Sequence, residues 1–411
     1  MLIAGSFFPQ FFLLCGRVVL QDDVFAVSYQ PLSQAFGFGH WQVITFLFYQ
    51  NAFVIFISRT YHSNGHSQNM KRNIIKIIAY SLFVFALIIL FKIFYPRRHS
   101  VPIFQKRNST QYWNLLNGSK IGYTFISVSG PRKSFPIIYL HGGPGGHITD
   151  YDIKVFRSIA DSGYDVYLYD QTGSGQSERL ADIGDYTVER HIEDLKEIIE
   201  KINSKKVILV GQSWVGMLAA LFAVDNTDKI NKIIFTCPGP VYPVRQNLAN
   251  IQPPDSIHLR RPFYTNEQGN DKADNLRTKA IKFFATKFST KLASDKEADN
   301  FASYLNYEVD KSTICDTVNI LKEDAGSGYY AGIMTFNSLL KIKDPQTKIK
   351  ALTLPVLIMK GQCDNQQWGF TNEYMSLFKN SELKIITDAG HFISVEQPEL
   401  YIKTILNFVN K

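Results

Sequence analysis

The sequence predicts an α/β protein: a mostly parallel sheet with helices on both faces, a helical insertion over one edge, and a transmembrane helix ahead of it. Three observations carry that expectation. From about residue 120, short apolar runs alternate with amphipathic segments of helical period. About 120 residues then separate two consecutive apolar runs, too many for a loop. Residues 74–95 are apolar apart from a few polar positions, with Lys76 and Lys92 as their only charges.

The N-terminal apolar run comes first. A helix needs roughly 20 apolar residues to cross the hydrocarbon core, and 74–95 supplies them if the two lysines snorkel toward the headgroups. Residues 70–98 therefore read as a transmembrane signal-anchor held in lipid. Lys71, Arg72 and Lys76 precede it, and Lys92, Arg97 and Arg98 follow, so the basic residues leave its orientation open. Two sequons just beyond it, at Asn108 and Asn117, lean toward an extracytosolic C-terminal part. No small-residue cleavage site follows, which favours a retained anchor over a removed signal. Residues 41–57 form a second uncharged stretch, broken by Gln42, Gln50 and Asn51, and leave a two-pass arrangement open. Met70-Lys-Arg resembles the start of a signal-anchor protein, so residues 1–69 stand apart as a hydrophobic extension that N-terminal sequencing would assign.

Composition agrees with a folded domain behind the anchor. Of 411 residues, 45% are hydrophobic and 14% aromatic, which excludes disorder and collagen-like repeats. The net charge is +8, but residues 1–100 hold eight Lys/Arg against Asp22 and Asp23 alone, so the rest is nearly balanced. With no concentrated basic block there, nucleic-acid binding is excluded. The cysteines, Cys15, Cys237, Cys315 and Cys363, lack zinc-site spacing and are too scattered for a disulfide framework; they read as buried or incidental thiols.

Buried strands are expected at 137–140, 166–169, 207–210, 233–236, 356–359 and 383–386. The clearest helix between them places Val188, Ile192, Leu195, Ile198, Ile199 and Ile202 on one face. Residues 99–238 and 351–411 then form two parts of one core, and 239–350 a helical cap. In the cap, Ala280, Phe283, Phe284 and Phe288 form a stripe, and Ser294 to Glu297 has the spacing of a capping box.

In parallel sheets the chemistry sits beyond the carboxyl ends of the strands, and each motif here follows an expected strand. Gly211-Gln-Ser213-Trp-Val-Gly216 leads from a strand into the apolar MLAALFAV. Strand, sharp turn and helix with serine at the apex make a nucleophile elbow. Val215 stands where a small residue is usual, so the turn should open or shift. His141-Gly-Gly-Pro-Gly-Gly146 follows 137–140, and its backbone can turn N–H groups into the site. An oxyanion hole needs two such donors; we assign Gly143 and Trp214. Asp364 and His391 follow the two last strands, giving the chain order Ser213, Asp364, His391. Serine needs the histidine as base, and the histidine needs a carboxylate to fix its tautomer. Asp388 is the rival acid, but it shares a loop with His391, which favours Asp364. Serine at the elbow argues against epoxide hydrolases and dehalogenases, whose nucleophile there is aspartate.

These residues resemble the proline iminopeptidase branch of the α/β-hydrolase superfamily. The resemblance rests on HGGPGG, Asp170-Gln-Thr-Gly-Ser-Gly-Gln-Ser177, GQSW, GQCD, AGH and the segment from Tyr186 to Leu195, within residues 120–411. It implies an α/β-hydrolase fold with a helical cap. It also implies Ser213 as nucleophile, Asp364 and His391 as its partners, and an oxyanion donor in the HGGP loop. The activity implied is release of an N-terminal residue from a small peptide, with no metal or organic cofactor. Esterase or amidase activity, or a non-catalytic binding role, are the alternatives. The family holds the substrate's free amine with cap acids, for which Glu267, Asp271, Asp274, Glu308, Asp310, Glu323 and Asp324 are all open. Two departures matter: Thr172 stands where the family has arginine, removing a loop-fixing charge, and Val215 where it has glycine.

Overall fold

The structure is a computed structural model. It describes residues 67–411 apart from 129, 322 and 323, and upstream of 67 only the backbone of five strand segments between residues 5 and 58. The chain divides into two compact units, residues 1–86 and 87–411.

The upstream strands pair antiparallel in one five-stranded sheet. Val43–Tyr49 and Ala52–Ser58 form a hairpin, so the described residues of the uncharged stretch, 43–49 and 52–57, are strand rather than helix. Gln42, Gln50 and Asn51 lie outside the described residues. A single helix, Ser67–Phe94, follows. It starts ahead of Met70, and its Arg72–Phe94 portion is long and apolar enough to cross a membrane.

The second sheet has eight strands: β1 Gln111–Asn114, β2 Lys120–Ile126, β3 Ile137–Leu140, β4 Val166–Tyr169, β5 Val207–Gln212, β6 Ile230–Thr236, β7 Val356–Gly361 and β8 Ser381–Ile386. Their order is β8-β7-β6-β5-β3-β4-β2-β1. β3 to β8 run parallel, and β2 and β1 close one edge antiparallel. The six expected strands are all present. β1 and β2 escape a search for apolar runs, because edge pairing lets them keep polar residues such as Gln111, Asn114 and Lys120.

Residue alternation sends successive side chains to opposite faces. Ile137, Tyr139, Ile208, Val210 and Leu357 pack with Phe156 and Ile159 of α1 (Asp150–Ala160) and with Tyr401, Ile405 and Phe408 of the C-terminal helix. Ile138, Leu140, Leu209, Ile233 and Ile358 meet the other face. There they pack with Leu195 and Ile198 of α2 (Val188–Ile202) and with Leu218 and Phe222 of α3 (Val215–Asp225). Each such burial is worth roughly 1.5–3 kcal/mol, and the two faces together fix the strand ends that carry the site.

Between β6 and β7 lie α4 Asn266–Ala273, α5 Leu276–Phe288, α6 Asp295–Asp310, α7 Tyr329–Leu339 and α8 Gln346–Lys350. Ser294 caps α6 by accepting Glu297 N–H, but the Glu297 carboxylate does not close the box. It pairs instead with Arg277 at 2.5 and 2.8 Å. The α5 stripe also differs from expectation. Its buried face is Arg277, Thr278, Ile281 and Ala285, while Phe283 and Phe288 face outward. α9 Trp368–Leu377 joins β7 to β8, and α10 Ile393–Glu396 and α11 Pro398–Val409 follow β8.

Candidate active site

Ser213 is the first residue after β5 and has φ 62°. That left-handed conformation is costly for a residue with a Cβ and persists only where the surroundings hold it. Two backbone bonds do so: Ser213 N–H donates to Thr236 O at 3.0 Å, and Ser213 O accepts Gly239 N–H at 3.1 Å. The elbow has not opened. Val215 is fully buried in the core, and the close approach falls at Gly216, where a Cβ would lie 2.8 Å from Pro238. Trp214 begins α3 in helical conformation.

The HGGPGG loop turns at Gly143, φ 131°, where an added Cβ would lie 2.6 Å from the amides of Gly145 and Gly146. Only glycine fits. The loop is held from below by His141, whose Nε2 accepts Gln171 N–H at 2.9 Å, and from the cap by Gly328 N–H donating to Gly145 O at 2.7 Å. Burial outweighs the Gly142 carbonyl contact and takes His141 down to about 3, so it is a neutral acceptor. Among the described residues, neither Gly143 N–H nor Trp214 N–H has a hydrogen-bond partner.

Asp364 and His391 are brought together. His391 Nδ1 lies 2.8 Å from Asp364 Oδ1, and both side chains are buried. Asp388 is not part of this pair: it turns outward to Arg260 at 2.6 Å. Ser213 Oγ makes no hydrogen bond to His391 in this structure, a separation common in ligand-free sites. Ser213 nonetheless reaches the same sheet edge through Thr236 and Gly239, which flank Cys237. The Cys237 Sγ lies within 4.8 Å of Asp364 and His391 ligand atoms. Those three could in principle grip a cation, but Asp364 and His391 already bond to each other. The thiol is occupied too, by Gly361 N–H and Gly390 O. Burial and then Asp364 push it well up, so it stays protonated.

Three features around this pair were not read from the sequence. Lys360, wholly buried at the end of β7, places Nζ 2.7 Å from Asp364 Oδ2 and 2.9 Å from Gln366 O. Burial pushes Asp364 up, but Lys360 and then His391 outweigh it and hold the carboxyl well below the usual carboxylate range. A lysine adjoining an apolar strand, four residues before an acid, was the available signal. Second, Glu396 accepts Gly390 N–H at 2.6 Å, Cys315 N–H at 2.9 Å and Asp316 N–H at 3.0 Å. Third, Cys315 and Cys363 form a disulfide across 48 residues, correcting the expectation of incidental thiols. It ties the cap segment between α6 and α7 to the Asp364 loop, and His391 N–H donates to Thr313 O on the same stretch.

Most of the cap acids considered for amine binding are otherwise engaged or exposed. Glu308 pairs with Lys272 and Lys311, and Asp324 with His147 at 2.8 Å. Glu267, Asp271 and Asp274 are exposed, Asp310 is half-buried, and Glu323 lies outside the described residues. Thr172 replaces the missing arginine with a hydroxyl that donates to buried Asp194. Of the two sequons, Asn117 is committed through its amide to Asp194 at 2.7 Å, while Asn108 is exposed.

A family model described as the alpha/beta hydrolase fold matches residues 136–398. A proline iminopeptidase of Heyndrickxia coagulans is 27% identical over 301 residues, covering 70% of this chain and 98% of that protein. One from Saccharolobus solfataricus is 24% identical over 310 residues, covering 74% and 93%. Among solved structures, a proline iminopeptidase of Mycobacterium smegmatis matches with a TM-score of 0.48 at 17% identity, over 74% of this chain and 98% of that one. With the family model spanning more than half of its residues, this chain belongs to the alpha/beta hydrolase fold family, and within it is similar to proline iminopeptidases.

Proposed function

We propose that the protein is a membrane-anchored serine aminopeptidase that releases an N-terminal residue, proline foremost, from small peptides. The observation that carries this is the buried 2.8 Å contact between Asp364 and His391 at the sheet edge where Ser213 is held at φ 62°. In this reading Asp364 fixes the imidazole with Nε2 as the base. Ser213 Oγ attacks the scissile carbonyl while its proton passes to His391. The tetrahedral oxyanion accepts the free N–H groups of Gly143 and Trp214, a pair in which each donor is worth roughly 3–4 kcal/mol. Collapse breaks the C–N bond as His391 returns the proton to the leaving amine. Water, deprotonated by His391, then cleaves the acyl ester and restores Ser213. Residues 239–350 act as the cap that selects the substrate, and no metal or organic cofactor takes part.

The Ser67–Phe94 helix anchors the chain in lipid as a single span. The Cys315–Cys363 disulfide supports an extracytosolic catalytic domain, since such bonds persist in oxidising compartments. Exposed Asn108 is then the sequon open to a glycan.

The test uses the full chain in detergent micelles, with Ser213→Ala beside it, on Pro-, Ala- and Leu-arylamides and a short-chain aryl ester. Serine-dependent turnover of the Pro-arylamide above the others is expected, with fluorophosphonate labelling of Ser213. One observation favours a second reading as an esterase: Glu308 and Asp324, both cap acids, are already spent on ion pairs. Ester-only turnover would establish it. Folded protein inert to both substrates and to fluorophosphonate would leave a binding protein.

A further inference from the structure

We infer that the cap docks on the membrane surface through the outward face of α5, so that an anionic lipid interface is a second binding partner of this chain. The inference rests on the reading of Ser67–Phe94 as a membrane span, and on three observations about the residues that follow it.

The first is an apolar face without a partner among the described residues. Leu276, Phe283 and Phe288 are 42%, 51% and 60% exposed, and the rings of Phe283, Phe284 and Phe288 cluster with centroids 5.7–5.8 Å apart. On a helix, 276, 280, 283, 284 and 287 share one side, opposite the buried Ile281 and Ala285. The second is charge. α5 contains Arg277, Lys279, Lys282 and Lys287 and no acid. Arg277 is neutralised by Glu297, while the three lysines are exposed and form no ion pair among the described residues. Aromatic residues beside lysines on one helix suit a bilayer interface, and anionic headgroups in the leaflet they face strengthen the contact.

The third observation names the occupant. Arg277 Nη1 donates to Ile93 O at 2.5 Å, in the last turn of the apolar helix. The chain leaving that helix stays clamped to the cap: Arg97 N–H donates to Glu297 at 2.9 Å, and His99 N–H to Asn300 at 2.6 Å. Asn300 returns a bond to His99 O at 3.0 Å, and the His99 ring stacks on Tyr304 at 4.4 Å. The start of α5 is thus fixed where the hydrocarbon ends. Phe283 and Phe288 lie on the same helix, ~9 and ~16 Å further along at 1.5 Å per residue. The surface continuous with that anchor point is the bilayer's own.

The test reconstitutes the full chain into phosphatidylcholine vesicles with and without phosphatidylserine, using lipids brominated near the headgroup end of the chains. Phe283→Trp keeps an aromatic ring on the face. Lys403→Trp, on exposed α11, is the control, and each added indole is read as the difference from the parent. The indole at 283 should lose at least half its fluorescence to brominated lipid, more with phosphatidylserine, while the one at 403 is unaffected. Adding Lys279→Glu and Lys287→Glu should return position 283 to the control. Equal emission at the two sites, with the chain retained in the pellet after alkaline carbonate, overturns the docking and leaves the span intact. Release by carbonate overturns the span as well. A blue-shifted indole at 283 that brominated lipid does not quench means a second protein copy covers the face, and also overturns the proposal.

Discussion

At the scale of single residues, Lys360 has the largest consequence. A lysine with no exposed side-chain surface survives only if its charge is matched, and its match is the carboxylate that also holds His391. Asp364 Oδ2 therefore serves Lys360, and Oδ1 serves His391. Lys360→Met should cost roughly 3–5 kcal/mol of stability, because it leaves a buried charge half-compensated. It should also move the acid limb of the kcat/KM profile upward, since the Asp364 carboxyl, no longer held down by Lys360, takes up a proton more readily as pH falls. An acid limb unchanged in a folded Lys360→Met variant would show that Lys360 only supports the loop. Ser213, Asp364 and His391 could be picked out in the sequence because each follows a strand in the required order. Lys360 stayed hidden because the apolar run stops at Met359, and nothing local shows that β7 continues inward for another residue.

At the scale of elements, what was legible is what burial on two faces imposes. β3 to β8 announce themselves as apolar runs, and α2 as a clean helical stripe. The α5 stripe was equally visible, yet it points outward. Periodicity marks an apolar face but not its partner, and the inner face is occupied by Arg277, whose burial depends on Glu297 from another helix. Pairing across 48 residues is likewise beyond local pattern, and so Cys315 and Cys363 looked unrelated. That disulfide and Glu396 fasten the same segment, Thr313 to Asp316 between α6 and α7 of the cap, onto the Asp364 and His391 loops. Closing a loop of this size is worth about 4 kcal/mol in chain entropy. A Cys315→Ala/Cys363→Ala double variant should therefore lose roughly 2–4 kcal/mol and turn over more slowly. The checks are a denaturant midpoint and initial rates against the parent under non-reducing conditions. Unchanged midpoint and rate would mean that Glu396 and the packing of Gly390 hold the segment alone.

At the scale of the whole molecule, the polar groups buried to build the site make stability depend on acidity. Burial takes His141 to about 3 and His191 to about 4, the latter helped by Arg190, against about 6.5 in the unfolded chain. Between pH 6.5 and 4 the unfolded state binds protons that the folded histidines refuse, so each histidine makes stability fall as pH falls. Asp299 acts the other way. Burial outweighs Arg179 and raises it to about 6, so across pH 4–6 the folded state holds a proton that the unfolded state has lost. Asp152, Asp170 and Asp194 are also pushed up by burial and oppose the histidines in the same sense. The absolute slope is therefore a balance, and the variants isolate its parts. His191→Gln keeps a partner for the Thr335 hydroxyl, which now lies 3.0 Å from His191 Nε2. It should lower the slope of unfolding free energy between pH 4 and 6 by about 1.4 kcal/mol per pH unit, while Asp299→Asn should raise it by about as much. Denaturant titrations of the full chain in one detergent, at several pH values in that window, measure both. Parallel slopes for parent and His191→Gln would mean that His191 is protonated inside the fold, although its buried ring packs edge-on against Trp214 at 5.6 Å.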